Sequence, residues 1–333
     1  MSTLISWNVT KRCNLKCLHC YRDAGKKDKY ELNTKEGKDL LERIAQSGFK
    51  VIVFSGGEPL LRKDIYKLIS YAKELNLRTL LGTNGTIITK ENAISLKESG
   101  IDRIGISLDS INKEKHNRFR NKKGAHKKTL RGIENCKRVG LDFQIHTTVM
   151  GFNYDEIEAI ADFSKKIGAK AFHVFFLVYT GRAKKNKRPD VQLSKACGKK
   201  YEMLIRRILG KQKEINFEIK PTCAPQFMRI AQEMNLPQKY NRGCLAGIDY
   251  CCILPNGDVH PCPYLPLNVG NVRKNCFSDI WEKSEIFTNL RSMKYDGKCG
   301  QCDYKDMCGG CRARAYYYFK GNYMEEDYYC GMN

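Results

Sequence analysis

The stretch that decides the fold is Asn8-Val-Thr-Lys-Arg-Cys-Asn-Leu-Lys-Cys-Leu-His-Cys-Tyr-Arg-Asp-Ala-Gly25. It carries Cys13, Cys17 and Cys20 directly after Leu4–Val9, an apolar run that predicts a strand. Three thiolates on one loop can hold three irons of a four-iron, four-sulfur cluster, whereas the usual protein ligand set is four thiolates. The fourth iron would then be open to a small molecule. Three structural or zinc-binding cysteines are the alternative interpretation.

The composition favours metal binding over disulfide bonds. The chain has 333 residues and 16 cysteines, far more than packing requires. No run approaches the roughly 18 apolar residues of a membrane span. Residues 1–12 lack the basic start, apolar core and cleavage site of a secretory signal. We therefore expect a cytoplasmic protein that does not associate with membranes and whose cysteines bind metal.

The formal net charge of +23 favours an anionic partner such as nucleic acid, acidic lipid or a polycarboxylate substrate. Basic residues are densest in Asn112–Lys128 and Arg182–Arg188. Neither stretch contains the basic patch with interleaved aromatic residues that is typical of nucleic-acid binding. A solvated lysine-rich surface explains the charge equally well, so charge alone does not choose among these functions.

The first half of the chain alternates short apolar runs with longer amphipathic ones, which predicts six successive strand–helix units. The predicted strands are Leu4–Val9, Val51–Phe54, Thr79–Gly82, Arg103–Leu108, Phe143–Val149 and Ala171–Val178. Helices are predicted near Lys35–Ser47, Ile65–Leu75, Lys90–Glu98, Ala125–Val139 and Tyr154–Ile167. Right-handed crossovers between such units give a parallel sheet with helices outside. The expected fold class is therefore α/β, a barrel or partial barrel.

The loops that follow the strands of such a barrel are where ligands bind. Ser55-Gly-Gly-Glu-Pro59 follows the second strand, and it combines glycines that let backbone approach a ligand with a carboxylate on Glu58. Ser107-Leu-Asp109 follows the fourth strand, and Asn153 follows the fifth. Ser107 and Asp109 could also be ordinary turn or capping residues.

The cysteine array, followed one strand later by Gly-Gly-Glu-Pro, resembles the radical S-adenosylmethionine (SAM) enzymes over residues 4–178. The resemblance implies a partial barrel of six units and a [4Fe–4S] cluster that binds SAM through its open iron. Its catalytic cluster ligands would be Cys13, Cys17 and Cys20. Glu58 would hold the amino group of the methionine portion of SAM. The implied cofactor-binding residues are His19, Gly56, Gly57, Glu58, Ser107, Asp109 and Asn153.

A second cysteine pattern begins at Cys244. Cys299-x2-Cys302-x5-Cys308-x2-Cys311 has metal-binding spacing, with Gly257-x4-Cys262 before it and Cys330 after it. This arrangement resembles the SPASM extension of radical SAM enzymes, which carries up to two auxiliary [4Fe–4S] clusters. The resemblance implies one ligand set of Cys244, Cys251, Cys262 and Cys311, and another of Cys299, Cys302, Cys308 and Cys330.

Three questions stay open in this second pattern. Cys252 neighbours Cys251 and could replace it as a ligand. Cys223 could reach the active site or be a buried inert thiol. A zinc ribbon over Cys299–Cys311 is the structural alternative, although the region has more cysteines than the four that one zinc needs. The expected division is a radical SAM barrel at 1–180, a helical bridge at 181–243 and a SPASM domain at 244–333.

Several phrases are similar to radical SAM enzymes of alternative haem and haem d1 biosynthesis: Cys20–Gly25, Phe143–Thr148, Cys223–Gln226, Gly243–Gly247 and Cys262–Pro266. Those enzymes trim carboxylate side chains from iron tetrapyrroles. The resemblance implies that a radical derived from SAM removes a hydrogen atom from a propionate, which loses carbon dioxide and becomes a vinyl group. Loss of acetate groups is the other implied reaction. An auxiliary cluster would accept the surplus electron.

The implied partners are an iron tetrapyrrole with several carboxylates and an electron donor such as ferredoxin or flavodoxin. Arg118, Arg120 and Arg182 are candidate clamps for the substrate carboxylates. We expect a monomer that binds neither membrane nor nucleic acid. A peptide maturase that forms thioether or carbon–carbon crosslinks is the alternative within the family. A non-catalytic iron–sulfur electron carrier is the alternative of another class, but it would need neither an open iron nor Glu58.

Overall fold

The computed structural model describes residues 3–185, 197–237 and 240–332. One ten-stranded sheet forms its centre. The strands are β1 Leu4–Thr10, β2 Val51–Gly56, β3 Arg78–Thr83, β4 Arg103–Ser107, β5 Phe143–Val149, β6 Phe172–Phe176, β7 Ile219–Thr222, β8 Tyr250–Ile253, β9 Asp258–His260 and β10 Gly270–Asn271. Their order across the sheet is β10-β9-β8-β1-β2-β3-β4-β5-β6-β7. Residues 186–188 of the predicted basic stretch lie outside the described ranges.

The helices lie mainly between the strands. They are α1 Thr34–Gln46, α2 Ile65–Glu74, α3 Lys90–Glu98, α4 Lys113–Phe119, α5 Ala125–Arg138, α6 Ile157–Lys166, α7 Gly181–Lys185, α8 Cys197–Ile215, α9 Phe227–Glu233, α10 Phe277–Lys283, α11 Glu285–Ser292, α12 Gly297–Gly300 and α13 Arg312–Tyr318. The six predicted strands and five predicted helices are confirmed, with α6 preceded by a short 3₁₀ turn. No helix within the described ranges combines the length and the apolar character needed to cross a membrane.

Strands β1 to β7 run parallel, as the strand–helix alternation predicts. In β1 the side chains alternate between the two faces of the sheet. Ile5, Trp7 and Val9 are fully buried in the main hydrophobic core, where Gly37 of α1 lets the helix approach the Trp7 ring. Ser6 and Asn8 therefore point to the opposite face, away from the helices. That face lines the interior of the partial barrel, which is why it is polar.

Four strands lie outside the six that the sequence predicts. The segment 181–243, predicted as a helical bridge, contributes β7 to the edge of the sheet beside β6. Strand β8 pairs in parallel with β1, with Leu4 opposite Tyr250 and Ile5 opposite Cys251. Strands β9 and β10 then continue the sheet in antiparallel order. The cysteine-rich part of the chain is thus joined to the barrel by backbone hydrogen bonds.

Candidate active site and cofactor sites

The three cysteines of the opening motif lie together on the loop after β1, at the carboxyl edge of the parallel sheet. The loop is closed by hydrogen bonds from Cys13 N to Gly25 O at 2.9 Å and from Cys20 N to Cys17 O at 3.3 Å. Burial raises the pKa of Cys13 to about 12, and the nearby charges of Glu58, Cys17 and Cys20 act in the same direction. Iron in place of these thiol protons would relieve that mutual repulsion, because metal binding uses the deprotonated ligand.

Backbone amides point at two of the sulfurs. Leu15 N lies 3.4 Å from Cys13 Sγ, and Ala24 N lies 3.4 Å from Cys20 Sγ. Hydrogen bonds to sulfur are among the features that tune iron–sulfur clusters. Three neighbouring thiols with donors directed at them fit a [4Fe–4S] cluster that has one iron free of protein ligands.

Arg182 braces this loop from α7. Its Nε donates to Cys17 O at 2.9 Å, its backbone N donates to Cys20 O at 2.8 Å, and its Nη1 reaches both Asp23 Oδ1 and Ala24 O. Its Nε, Nη1 and backbone N therefore hold the cysteine loop. The interpretation of Arg182 as a clamp for substrate carboxylates stays a prediction.

Gly56 and Gly57 bring the second loop against the first. Gly57 N donates to Thr10 O at 2.7 Å, and Glu58 N donates to Arg12 O at 2.8 Å. A Cβ on Gly57 would lie 2.2 Å from Arg12 O, and one on Gly56, whose φ is +138°, would lie 2.4 Å from Thr10 O. The sequence predicts that these glycines let the backbone approach a ligand. The structure shows that they admit the chain's own cysteine loop, and their predicted contact with SAM stays a prediction.

The carboxylate of Glu58 is fully buried between the second and third loops. It accepts hydrogen bonds from Thr83 Oγ1 and Asn84 N, both at 2.8 Å, and from Leu60 N at 3.2 Å. Burial raises the pKa of Glu58 to about 7, although these donors oppose the shift. A buried carboxylate that ionises near neutral pH can bind a cationic amino group.

Asp109 and Asn153 are both fully buried and bonded within the chain. Asp109 Oδ2 lies 2.6 Å from Nη2 of Arg120, and Asp109 Oδ1 accepts from Thr148 N at 3.1 Å. Asn153 donates to the carbonyls of Asp109 and Thr148 and accepts from Met150 N. These contacts make both residues supports for the loops after β4 and β5. Their predicted contacts with SAM, like that of the half-buried Ser107 at the end of β4, stay predictions.

His19 lies beside the cysteines, stacked on Phe119 with ring centroids 4.1 Å apart. Burial, reinforced by the positive charges of Arg120 and Arg182, holds the pKa of His19 well below its usual value. The ring is therefore neutral, and its buried Nδ1 has no hydrogen-bond partner within the described part of the chain. A flat neutral ring with an unsatisfied nitrogen suits a neighbouring heteroaromatic base, as predicted for adenine.

Arg22 is a further side chain near the barrel interior, and it is not among the site residues that the sequence predicts. Its Nη2 lies 3.4 Å from Cys252 Sγ, and that sulfur also accepts from Asn8 Nδ2 at 3.0 Å on the interior face of β1. Its Nε is buried without a hydrogen-bond partner among the described residues. In sequence, Arg22 is marked only by its place two residues after Cys20, which does not indicate the direction of its side chain.

The predicted second auxiliary set comes together in space. Cys299, Cys302, Cys308 and Cys330 line one small cavity with Gln226, Arg229 and Asp327. Burial raises the pKa of Cys308, and the charges of Asp327, Cys299 and Cys330 add to the effect. No three potential ligands within the described ranges have the spacing of a single-ion site. In a four-iron cluster each thiolate binds a different iron, so its ligands stand farther apart.

The predicted first auxiliary set needs a correction. Cys244, Cys262 and Cys311 are neighbours, and after burial the charges of Cys311 and Cys244 help to raise the pKa of Cys262. Cys251 lies elsewhere, since it is fully buried with Ile253 in the main core on the helix side of β8. Cys252, the suggested replacement, faces the barrel interior beside Asn8. Cys251 therefore packs in a different cluster from Cys262 and Cys311.

An α/β partial barrel with groups of cysteines on its loops is the arrangement expected of an iron–sulfur protein. Residues 7–164 match the family model described as the radical SAM superfamily, and residues 244–311 match the one described as an iron-sulfur cluster-binding domain. The solved structure of Streptococcus suis SuiB bound to S-adenosylmethionine superposes with a TM-score of 0.79 at 19% identity, covering 100% of this chain and 78% of that one. That of anSMEcpe with bound AdoMet gives 0.75 at 19% identity, covering 99% and 94%.

Curated relatives are similar over almost the whole chain. The AdoMet-dependent heme synthase of Oleidesulfovibrio alaskensis is 41% identical, over 98% of this chain and 86% of the relative. Its counterpart in Methanosarcina barkeri is 39% identical, over 98% and 95%. The Fe-coproporphyrin III synthase of Methanosarcina barkeri is 34% identical, over 98% and 87%. The chain belongs to the radical SAM superfamily. It is a radical SAM enzyme whose cofactors are SAM and [4Fe–4S] clusters.

Proposed function

We propose that this enzyme converts propionate side chains of an iron tetrapyrrole into vinyl groups during haem biosynthesis. One observation carries the proposal: the similarity to AdoMet-dependent heme synthases, at 41% and 39% identity, spans 98% of the chain and includes both cysteine-rich regions. The lower identity to the Fe-coproporphyrin III synthase, 34%, favours the propionate reaction over the loss of acetate groups.

The residues around the first loop support this assignment. Cys13, Cys17 and Cys20 would hold the cluster whose open iron takes SAM, Glu58 would hold the SAM amino group, and His19 would lie by the adenine. When bound and reduced, the cluster and SAM together supply a radical able to remove a hydrogen atom from carbon. Arg182 and the glycine loop keep the cysteines in place for that cofactor.

The electron balance of the reaction explains why further clusters are useful. A propionate that loses a hydrogen atom from the carbon next to the ring, and then carbon dioxide, leaves a vinyl group and one electron. That electron needs an acceptor. The loop of Cys262 lies close by, because Tyr264 packs its ring 5.0 Å from the ring of Tyr21, the residue after Cys20. The first auxiliary group is therefore the electron acceptor in this proposal.

Arg22 is the proposed contact for a substrate carboxylate. It lies on the interior side of the barrel, its buried Nε is unsatisfied, and no ion pair among the described residues neutralises it. Arginine suits carboxylates because its donors form a planar fork. Arg120 is another candidate contact for a substrate carboxylate, but it is already paired with Asp109 and is only 6% exposed.

A basic surface cavity beside the first loop supports reduction by an acidic one-electron donor such as ferredoxin or flavodoxin. The cavity measures about 550 Å³ and is lined by Lys16, Leu18, Asp23, Asn121, Arg182 and Lys185. Lys16 lies between two cluster cysteines, so a donor here would dock close to the cluster.

The monomeric state and the three-part division at residues 180 and 243 stay proposals as well.

The test is an anaerobic assay of the iron-reconstituted enzyme with SAM, dithionite and iron-coproporphyrin III, read by mass spectrometry. We expect two successive losses of carbon dioxide and two hydrogens, with formation of 5′-deoxyadenosine. The Cys13→Ala variant should form neither product. Deoxyadenosine without a change in the porphyrin would refute the proposed substrate and direct the search to sirohaem derivatives or peptides.

A further inference from the structure

We infer that Cys223, and not Cys251, is the fourth thiolate of the first auxiliary cluster, together with Cys244, Cys262 and Cys311. Cys223 lies outside the region that matches the iron-sulfur cluster-binding family, which begins at residue 244. The inference concerns the ligands of a cluster and does not depend on which substrate the enzyme uses.

Packing brings Cys223 to the other members. Cys311 belongs to a small buried hydrophobic cluster with Val178, Leu265 and Ala313. Cys223 and Cys262 are both packed against this cluster from the outside. Three thiols from segments far apart in sequence therefore share one contact region, which is separate from the main core that contains Cys251.

One buried ion pair fixes the backbone of two of these cysteines. Arg314 and Asp327, each about 1% exposed, pair with Nε to Oδ1 at 2.7 Å. Nη1 of Arg314 donates to Cys223 O at 2.7 Å. Oδ2 of Asp327 accepts from Cys311 N at 2.8 Å. The same pair thus sets the separation between Cys223 and Cys311, as outer-shell groups do around metal ligands.

The segment that carries Cys244 is held in place by a close backbone contact. A Cβ on Gly243 would lie 2.5 Å from Pro225 O, so only glycine lets this segment meet the turn that carries Cys223. Cys244 follows at once, and its N donates to Cys308 O at 3.2 Å. Gly243 therefore places Cys244 next to the turn that carries Cys223. The hydrogen bond to Cys308 O also places Cys244 beside the second auxiliary set.

Cys223 itself adopts an unfavourable backbone conformation. Its φ is +59°, in the left-handed region, which is sterically unfavourable for a non-glycine residue. Such conformations persist where the surroundings impose them and concentrate at functional sites. At Cys223 this conformation coincides with the hydrogen bond that its carbonyl accepts from Arg314.

The electrostatics agree with the packing. Burial raises the pKa of Cys223, and the charges of Cys311 and Cys244 raise it further. Burial likewise raises the pKa of Cys262, and there Cys223 has the largest effect among the neighbouring charges. Each of the four thiols therefore interacts electrostatically with at least one of the others. For Cys251 the effect of burial is increased only by Cys252, its neighbour in sequence.

The experiment counts iron in a background that lacks the first cluster. Cys13, Cys17 and Cys20 are replaced by alanine, so that only auxiliary clusters bind iron. Cys223→Ala and, as the matched control, Cys251→Ala are then reconstituted anaerobically. Iron and sulfide are measured per chain, and the electron paramagnetic resonance spectrum of the reduced protein is recorded.

We expect Cys223→Ala to lose about four irons per chain or to show a changed spectrum, because one cubane cluster holds four irons. Cys251→Ala should match the background protein in both readouts. The inference is overturned if Cys223→Ala matches the background, or if only Cys251→Ala loses iron. Should Cys223→Ala fail to fold by circular dichroism, Cys223→Ser decides. An oxygen ligand must shift the g-values, and unshifted g-values overturn the inference.

Discussion

The guanidinium of Arg120 and the carboxylate of Asp109 form a buried ion pair, with Nη2 2.6 Å from Oδ2. Nη1 of the same guanidinium lies 3.8 Å from Cys17 Sγ. The loop after β4 is thereby tied to the cysteine loop after β1, although the two strands are not neighbours in the sheet. A substitution on either side of this ion pair should therefore also affect the loop on the other side.

Replacing Arg120 by methionine should destabilise the metal-free protein by about 3–5 kcal/mol, because it leaves Asp109 as a buried charge without its partner. The free energy of unfolding in urea measures this effect. The matched control is the double variant Arg120→Met with Asp109→Asn, in which the unpaired charge is removed. It should lose less stability than the sum of the two single variants. Strictly additive losses would show that the pair is not coupled.

Gly57→Ala should weaken cluster assembly at the first loop. The new methyl group would lie 2.2 Å from Arg12 O, and backbone must shift to relieve that contact, at a cost of about 1–3 kcal/mol. We expect less iron at this cluster and weaker SAM binding in a background without auxiliary cysteines. Gly82→Ala on β3 is the control, since its nearest neighbour would be 3.6 Å away. Equal iron loading in both variants would contradict the prediction.

SAM binding should weaken as the pH falls through 7. The pKa of Glu58 is raised to about 7 by burial, so its carboxylate is ionised above that pH and protonated below it. If it holds the SAM amino group, affinity should fall by roughly an order of magnitude from pH 7.5 to pH 6. Anaerobic calorimetry measures this change. Glu58→Gln should bind SAM more weakly and with no such step, and a step that survives in the variant would exclude Glu58 as its origin.

Protonation of Glu58 should stabilise the fold of the metal-free protein, whereas it should weaken SAM binding. The pKa of Glu58 in the folded state lies above its ordinary value of 4.5. Its protonation therefore stabilises the fold fully below about pH 4.5, and this contribution is lost as the pH rises through 7. Glu58→Gln should consequently gain stability relative to the wild type between pH 5 and pH 8 in urea unfolding. A flat difference over that range would contradict the shifted pKa.

Arg22→Gln should weaken binding of iron-coproporphyrin III by about 10- to 100-fold, since a hydrogen bond to a charged group contributes roughly 1.5–3 kcal/mol. Titration of the porphyrin absorption band measures the affinity. SAM affinity should not change, which separates the effect from damage to the cluster loop. Arg78→Gln, which removes the same charge from an exposed position on β3, is the matched control. Equal affinity in the two variants would rule out Arg22 as the carboxylate contact.

Local patterns were sufficient for the first half of the fold. The strand β5 was predicted with its observed bounds, and Gly48 and Gly168 have the positive φ of residues that end helices. Hydrophobic periodicity and glycine position are properties of neighbouring residues, so a sequence displays them directly. The family resemblance added the grouping of Cys299, Cys302, Cys308 and Cys330, which the structure brings around one cavity.

Features that depend on distant contacts were not predictable in the same way. Cys251 has suitable spacing from Cys244, but its direction depends on the register of β8 against β1, which no local pattern encodes. Charge and loop position make Arg182 and Arg120 candidate substrate clamps, whereas their bonds to Cys17 O and Asp109 depend on the folded loops. The role of Cys223 is not predictable for the same reason, because a segment almost a hundred residues later fixes its carbonyl.

The pairing of β1 with β8 also constrains how the chain matures during synthesis. Leu4 is synthesised well before its partner Tyr250, which lies 246 positions later in the chain. One edge of β1 therefore stays without its neighbour until β8 has been translated. We therefore expect iron insertion at the first cluster loop to follow the synthesis of β8.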